Sequence, residues 1–256
     1  MPLLDDCYVS FLNTDHRNDR LSHIQAELKR VGINAVRTRG KLPNEFDSTD
    51  QNIQVMWRRT KGACGCHFGQ REIMEEALRQ GKHSFVMEDD VVYASDFHKR
   101  FEIIEDFLKD KDWTAVWLGG TYHKNDPAWW HKIGHSSDMP YCRCKLGVDV
   151  EKTESKYMVR TYGCFSTHSY IINKNKIKDV LAFLDANVHL SMGIDWLMIL
   201  LQPYINSYAF VPGIAKQIDN KSDIGQGDTI FSGFSRLGPH WWQDKMSDFD
   251  YDNFKL

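Results

Sequence analysis

The chain carries no excess of basic charge. In 256 residues, 32 Lys and Arg stand against 35 Asp and Glu, a formal net charge of −3. That balance excludes the broad positive field of a nucleic-acid binder. No window approaches the roughly 18 uninterrupted apolar residues of a membrane span, and the longest apolar run, Trp196 to Leu201, suits only a buried element. The opening Met1-Pro2-Leu3-Leu4-Asp5-Asp6 lacks the basic flank and apolar stretch of a signal peptide. Internal repeats and low-complexity tracts are absent. Cysteines are few: Cys7, Cys64, Cys66, Cys142, Cys144 and Cys164. Two pairs are Cys-x-Cys, poor partners for a local disulfide, so reduced thiols and a cytoplasmic setting are expected. Cys64-Gly65-Cys66-His67 and Cys142-Arg143-Cys144 would hold zinc only if they met in space, and their spacing is shorter than that of structural zinc sites.

Aromatics are plentiful, with eight Trp. Trp129-Trp130 and Trp241-Trp242 fit either a packed core or faces that stack on sugar rings. The length suits one large domain, and its pattern alternates. Cys7 to Leu12 reads as a buried strand. Leu21, Ile24, Leu28 and Val31 recur at helical spacing, and Gly32 stops that helix. Ala35 to Thr38 is a second strand, and residues 41–60 read as a polar connection. A helix from about Gly65 to Gln80, stopped by Gly81, precedes a third strand, Ser84 to Met87. Phe97, Phe101, Ile104 and Leu108 form one helical stripe, and Thr114 to Leu118 is a fourth strand ending at Gly119-Gly120. Residues 121–158 read as an irregular insertion. Strand character returns over Tyr162 to Asn173. A helix follows over Lys174 to Leu184, then a short helix over Gly193 to Leu201 and a strand over Ser207 to Val211.

The β-α-β-α-β-α-β order predicts an α/β fold with a parallel, doubly wound sheet and helices on both faces. Such sheets bind ligands at the carboxyl ends of their strands. The polar groups at 13–17, 39–40, 88–90 and 119–121 all fall there. Glu88-Asp89-Asp90 follows the apolar strand directly. Carboxylates spaced i, i+2 at a strand end point the same way, and together can hold Mn²⁺ or Mg²⁺ while leaving positions open for a diphosphate. An acidic helix-capping turn is the plainer alternative.

These segments, in this order, resemble glycosyltransferase family 25, which includes lipooligosaccharide galactosyltransferases and collagen β-galactosyltransferases. The family's Asn-Leu-Asp-Arg-Arg-Pro-Asp-Arg pattern is matched at five of eight positions by Asn13-Thr14-Asp15-His16-Arg17-Asn18-Asp19-Arg20. Gly65-Cys66, Met87-Glu88-Asp89-Asp90-Val91, Thr167-His168-Ser169-Tyr170 and Asp195-Trp196 follow in the family's order. The chain departs from the pattern at Gly69-Gln70, where the family often has Ser-His, and in the insertion at 121–158.

The resemblance implies an A-type glycosyltransferase fold in a single domain over 1–256. Residues 1–120 would form a Rossmann-like nucleotide-sugar half, joined to an acceptor half over 121–256. It also implies a UDP-hexose donor, a bound divalent ion, inversion at the anomeric carbon, and an acceptor hydroxyl on a glycan or on a hydroxylysine of a collagen-like protein. On that footing Asn13, Asp15 and Arg17 lie near the uridine, with Arg17 equally suited to a helix cap. Arg39 and Lys61 offset diphosphate charge, and Gly62 lets the backbone approach the donor. Gly119 and Gly120 form either a turn or a wall for the sugar. Glu88 and Asp90 hold the metal, with His240 completing its shell. Asp195 is either the general base or an N-cap, and His168 reads as a packed histidine. The expected activity is hexosyl transfer, galactose ahead of glucose. The rival readings are a non-catalytic sugar- or protein-binding module and a metal phosphoesterase.

Overall fold

The computed structural model describes residues 2–57, 61–120, 150–164, 166–211 and 213–218. After a short helix α1 (Pro2–Asp5), the chain forms β1 (Cys7–Thr14), α2 (Asn18–Val31), β2 (Val36–Gly40), α3 (Gln51–Trp57), α4 (Lys61–Gln80), β3 (His83–Glu88), β4 (Val91–Tyr93), α5 (Phe97–Leu108) and β5 (Ala115–Trp117). There follow β6 (Val150–Lys152), β7 (Met158–Thr161), β8 (Ser169–Ile172), α6 (Ile177–Asn187), α7 (Ile194–Leu201), β9 (Ser207–Phe210) and β10 (Ala215–Gln217).

Both glycine stops form as expected. Gly32 sits at φ 66°, its N–H bonded to the Lys29 carbonyl while Ile33 bonds to Leu28. Gly81, at φ 67°, repeats the arrangement with Leu78 and Ala77. These paired bonds satisfy the last carbonyls of each helix through a left-handed residue that glycine adopts without steric cost. They turn the chain directly into β2 and β3.

Eight strands form one sheet in the order β2-β1-β3-β8-β5-β9-β7-β6. The pairs β1–β2, β1–β3 and β5–β9 are parallel. Strand β8 runs antiparallel to both β3 and β5, and β7 antiparallel to β9 and β6. The sheet is thus mostly parallel, with β8 and β7 reversed. Its helices flank both faces. Phe85 and Met87 pack with Phe11, Ile24, Leu28, Phe97, Phe101 and Ile104 beneath α2 and α5. Val86 faces the other way, with Ile73, Met74, Trp117, Tyr170, Leu184 and Leu197 beneath α4, α6 and α7. This is the α/β architecture expected, and the period-two alternation along β3 is what divides the core into two layers.

Four details differ from the sequence reading. Strand β8 is reversed, which the sequence does not show because Ser169-Tyr170-Ile171-Ile172 is buried on both faces and reads as an apolar run without direction. The polar connection at 41–60 contains α3, whose buried Ile53 and Met56 are too few to show a period. The insertion at 121–158 is not irregular throughout, since it includes β6 and the first residue of β7, while residues 121–149 lie outside the described set. A two-stranded ribbon of β4 with β10 crosses the end of the main sheet.

Candidate active site

Three elements meet at the carboxyl edge of the sheet. Strand β3 delivers Glu88 and the turn Asp89-Asp90. The reversal of β8 brings its entry, Thr167-His168, to the same edge, where His168 O accepts the Glu88 N–H at 2.9 Å. The first turn of α7 brings Asp195.

Glu88 Oε1 accepts from Gln70 Nε2 at 3.0 Å, and its Oε2 accepts from Gln217 Nε2 at 3.0 Å. The same Gln217 nitrogen lies 3.4 Å from Asp90 Oδ1. Glu88 and Asp90 therefore converge on one donor, as their i, i+2 spacing predicts. Asp89 points the other way. It accepts from Asn13 Nδ2 at 2.7 Å and from Arg20 at 3.0 Å. Arg20 also reaches Asp90 Oδ2 at 3.2 Å. Asp195 Oδ1 accepts a short hydrogen bond from the Thr167 hydroxyl, and the Thr167 backbone N–H also donates to that carboxylate.

The electrostatics follow from crowding. Burial first, then the charges of Asp90 and Asp195, hold the Glu88 carboxyl well above its ordinary range. Burial also raises Asp90, against the opposing pull of Arg20. It raises Asp89 against Asn13 and Arg20, and Asp195 against its Thr167 hydrogen bonds. Four carboxyl groups thus share an edge where Arg20 touches two of them. Such a cluster favours protonation or a bound cation. Among the described residues no set of three or more His, Cys, Asp and Glu adopts a metal-ligand arrangement. The oxygen-rich pair Glu88 and Asp90 nonetheless has the donor chemistry that Mg²⁺ and Mn²⁺ prefer, and the Gln217 amide donates into the gap between them.

The other predicted residues separate into groups. Asn13 joins the acidic block to β2, accepting from Arg37 Nε at 3.0 Å while donating to Asp89. Asp15 is exposed and paired with Arg37 at 2.6 Å and Arg39 at 2.5 Å, and these arginines hold its carboxyl below the usual range. Arg39 also pairs with Glu45 at 2.5 Å, so protein carboxylates already meet its charge. Arg17 takes the N-cap position of α2, without a side-chain cap bond, and pairs with Asp19 at 2.8 Å. Lys61 and Gly62 form the first turn of α4 rather than a loop, and the Lys61 side chain is outside the described set.

Gly119 is required by the protein's own packing. A Cβ there would lie 1.9 Å from Ala215 O and 2.5 Å from His168 Nε2. The close approach is that of β10, whose Ala215 N–H bonds to Leu118 O at 3.0 Å. Gly120 is buried beside it. His168 is fully buried against the same crossing, the packed histidine expected. Asp195 is not an N-cap, because Gly193 holds that position. His240, both Trp pairs, Cys142 and Cys144 lie outside the described residues.

Sequence reasoning missed four contributors. Arg20 and Thr167 were inside the quoted motifs and could have been drawn from them. Gln70 stood out only as a departure from the family pattern. Gln217 gave no signal, because a lone Gln in a short strand carries none.

Among curated proteins, none matches the chain at a significant level. Among solved structures, the chain is similar to a glycosyltransferase involved in the glycosylation of the major capsid of PBCV-1, at 10% identity and a TM-score of 0.39, over 84% of this chain and 94% of that one. The sequence profile of glycosyltransferase family 25 (LPS biosynthesis protein) matches residues 7–198. That span holds β1, the acidic block, the Thr167 segment and Asp195, three quarters of the sequence, and the chain belongs to glycosyltransferase family 25.

Proposed function

We infer from membership of the family that the chain is a glycosyltransferase with a nucleotide-sugar donor and a glycan acceptor. We propose that it is an inverting, divalent-metal-dependent hexosyltransferase using UDP-galactose ahead of UDP-glucose. Its acceptor would be a hydroxyl of a glycan or of a collagen-like protein's hydroxylysine. Asp195 is the general base, and Glu88 and Asp90 are the ligands of Mn²⁺ or Mg²⁺. The observation that supports this reading is the shared Thr167 hydroxyl, which donates to Asp195 and lies 3.5 Å from Glu88 Oε1. A base and a diphosphate-binding acid pair are thereby kept side by side without either replacing the other.

In the transfer, the acceptor oxygen attacks the anomeric carbon from the face opposite the diphosphate. The bond from that carbon to the diphosphate oxygen breaks, its electron pair leaves with UDP, and the acceptor proton passes to Asp195. A divalent ion supplies charge stabilisation for the departing diphosphate. Asn13, at the end of β1, holds Asp89 and so braces the acidic turn from the donor side. Burial raises the Asp195 carboxyl from its ordinary range, which strengthens it as a proton acceptor while the Thr167 bonds keep the ionised form in reach.

The test is Asp195→Asn. Asn keeps the size of Asp but cannot take a proton at neutral pH. With UDP-galactose and Mn²⁺, the variant is expected to bind donor normally and to lose about 10²- to 10⁴-fold in turnover, the usual range for general-base assistance. Thermal melting run alongside confirms the fold. A well-folded variant with near-normal UDP release removes Asp195 as the base.

A further inference from the structure

Gln70 lies at the centre of the site, at the position where the chain departs from its family's pattern. It is fully buried. Its Nε2 lies 3.0 Å from Glu88 Oε1, 3.2 Å from Thr167 Oγ1 and 3.3 Å from Cys66 Sγ, and its Oε1 lies 2.8 Å from the Tyr170 hydroxyl. The orientation of this amide follows from its neighbours. Its NH₂ end faces Glu88 and Thr167, the arrangement in which both amide protons find oxygen acceptors. The carbonyl end then faces Tyr170, whose hydroxyl must donate to it.

The order of donors continues beyond the amide. Gln70 gives one proton to Glu88 and one to the Thr167 oxygen. Thr167 has a single hydroxyl proton and two carboxylate oxygens within reach, Asp195 Oδ1 at short distance and Glu88 Oε1 at 3.5 Å. Asp195 lies far closer than Glu88, so the Thr167 proton goes to Asp195, while the Gln70 N–H occupies the hydroxyl's acceptor side. The result is a one-way chain, from the Tyr170 hydroxyl to the Gln70 amide, to the Thr167 hydroxyl, to the Asp195 carboxylate. Tyr170, Gln70 and Asp195 are fixed on β8, α4 and α7, and Thr167 is buried two residues before β8.

We propose that Gln70 is a positioning residue that commits the Thr167 hydroxyl to Asp195, and that Tyr170 fixes the amide that does so. The inference rests on the reading of Asp195 as the base. It assigns Gln70 no contact with substrate. Its work is to keep one carboxylate oriented for the acceptor while binding the neighbouring acid with its other proton.

The experiment uses Gln70→Met, which keeps length without hydrogen bonds, Thr167→Val, which keeps shape without the hydroxyl, the double variant, and Tyr170→Phe. UDP release from UDP-galactose in Mn²⁺ gives kcat and KM for each. A hydrogen bond serving a charged group is worth about 1.5–3 kcal/mol, so kcat is expected to fall roughly 10- to 150-fold in Gln70→Met with KM nearly unchanged. Because both residues act through one hydroxyl, the double variant is expected to be no slower than Thr167→Val. A second readout needs neither donor nor metal. The Gln70 side-chain amide resonance, identified by its loss in Gln70→Met, is expected to shift in both Thr167→Val and Tyr170→Phe. Should Gln70→Met melt early, the Thr167→Val and Tyr170→Phe resonances carry the decision. An unmoved amide resonance in both overturns the chain of donors. An unchanged kcat in folded Gln70→Met, or losses that multiply in the double variant, overturns the positioning role. If instead Asp195→Asn keeps its turnover while the resonances shift as expected, the base reading has failed and the catalytic role of Gln70 falls with it, the hydrogen-bond chain itself standing.

Discussion

His67 offers a test of the fold that is independent of donor, metal and acceptor. It lies on α4, fully buried, and neither ring nitrogen has a hydrogen-bond partner among the described residues. Burial, with a smaller push from the Arg71 charge, lowers the imidazole from its ordinary 6.5 to about 4. The folded protein thus refuses a proton that the unfolded chain accepts. Stability is unaffected by this group above pH 6.5 and falls as pH drops from 6.5 towards 4. A separation of about two and a half pH units, at about 1.4 kcal/mol each, makes the full loss about 3.5 kcal/mol. His67→Leu removes the titrating ring and also relieves buried nitrogens that cost about 1–3 kcal/mol when unpaired. The variant is therefore expected to match or exceed the natural protein at pH 7, and to gain on it progressively down to pH 4.5. Urea unfolding of both at half-unit steps measures this difference, in which the other titrating groups cancel. A difference that stays flat across the range, or a variant weaker by more than about 2 kcal/mol at pH 7, would refute the reasoning.

Glu88→Gln tests the acidic cluster. Its carboxyls are raised above their unfolded values, so their contribution is present at low pH and lost as pH rises through the folded values; the variant is expected to flatten the fall in melting temperature as pH rises above the ordinary carboxyl range. Saturating Mn²⁺, at roughly 100 times its dissociation constant, is worth about 2.7 kcal/mol to the natural protein, and a calorimetric melt should show that gain vanish in Glu88→Gln. Gly119→Ala places a Cβ against Ala215 O, a backbone atom that cannot swing aside, and overpacking of this kind costs about 3 kcal/mol or more. A loss below about 1 kcal/mol by urea unfolding would show that β10 does not depend on that approach.

Much of this was legible because periodicity and glycine report local structure faithfully. Leu21, Ile24 and Leu28 on α2, and the stops at Gly32 and Gly81, needed no tertiary information. The acidic block was legible for the same reason, being three polar residues at the end of an apolar strand. What escaped reading depends on partners distant in sequence. The reversal of β8 is invisible in a strand buried on both faces, yet it is what brings Thr167 beside Asp195. Gly119-Gly120 read as a turn or a sugar wall, since nothing local announces that β10 crosses there. Arg39 read as free to meet a diphosphate because its partners, Asp15 and Glu45, lie on other elements. The sequence offers a charge but not its neighbours.

The same distant contacts would let the two ends of the proposed transfer site act together. Glu88 sits at the end of β3, Thr167 at the entry to β8, Gln70 on α4 and Asp195 on α7, so each half of the site hangs from a different rigid element. Gln70 spans the halves, with one amide proton on Glu88 and the other on Thr167. Any change in the charge of Glu88 alters how strongly that amide is drawn away from Thr167, and hence how firmly the hydroxyl is held toward Asp195. Neutralising Glu88, whether by a proton or by a cation, weakens the pull on the amide and leaves more of its donation to Thr167. A polarised Thr167 hydroxyl donates more strongly to Asp195, because hydrogen bonds in series reinforce one another. On the roles proposed for Glu88 and Asp195, filling the donor end of the site would then strengthen the hold on Asp195 before the acceptor arrives.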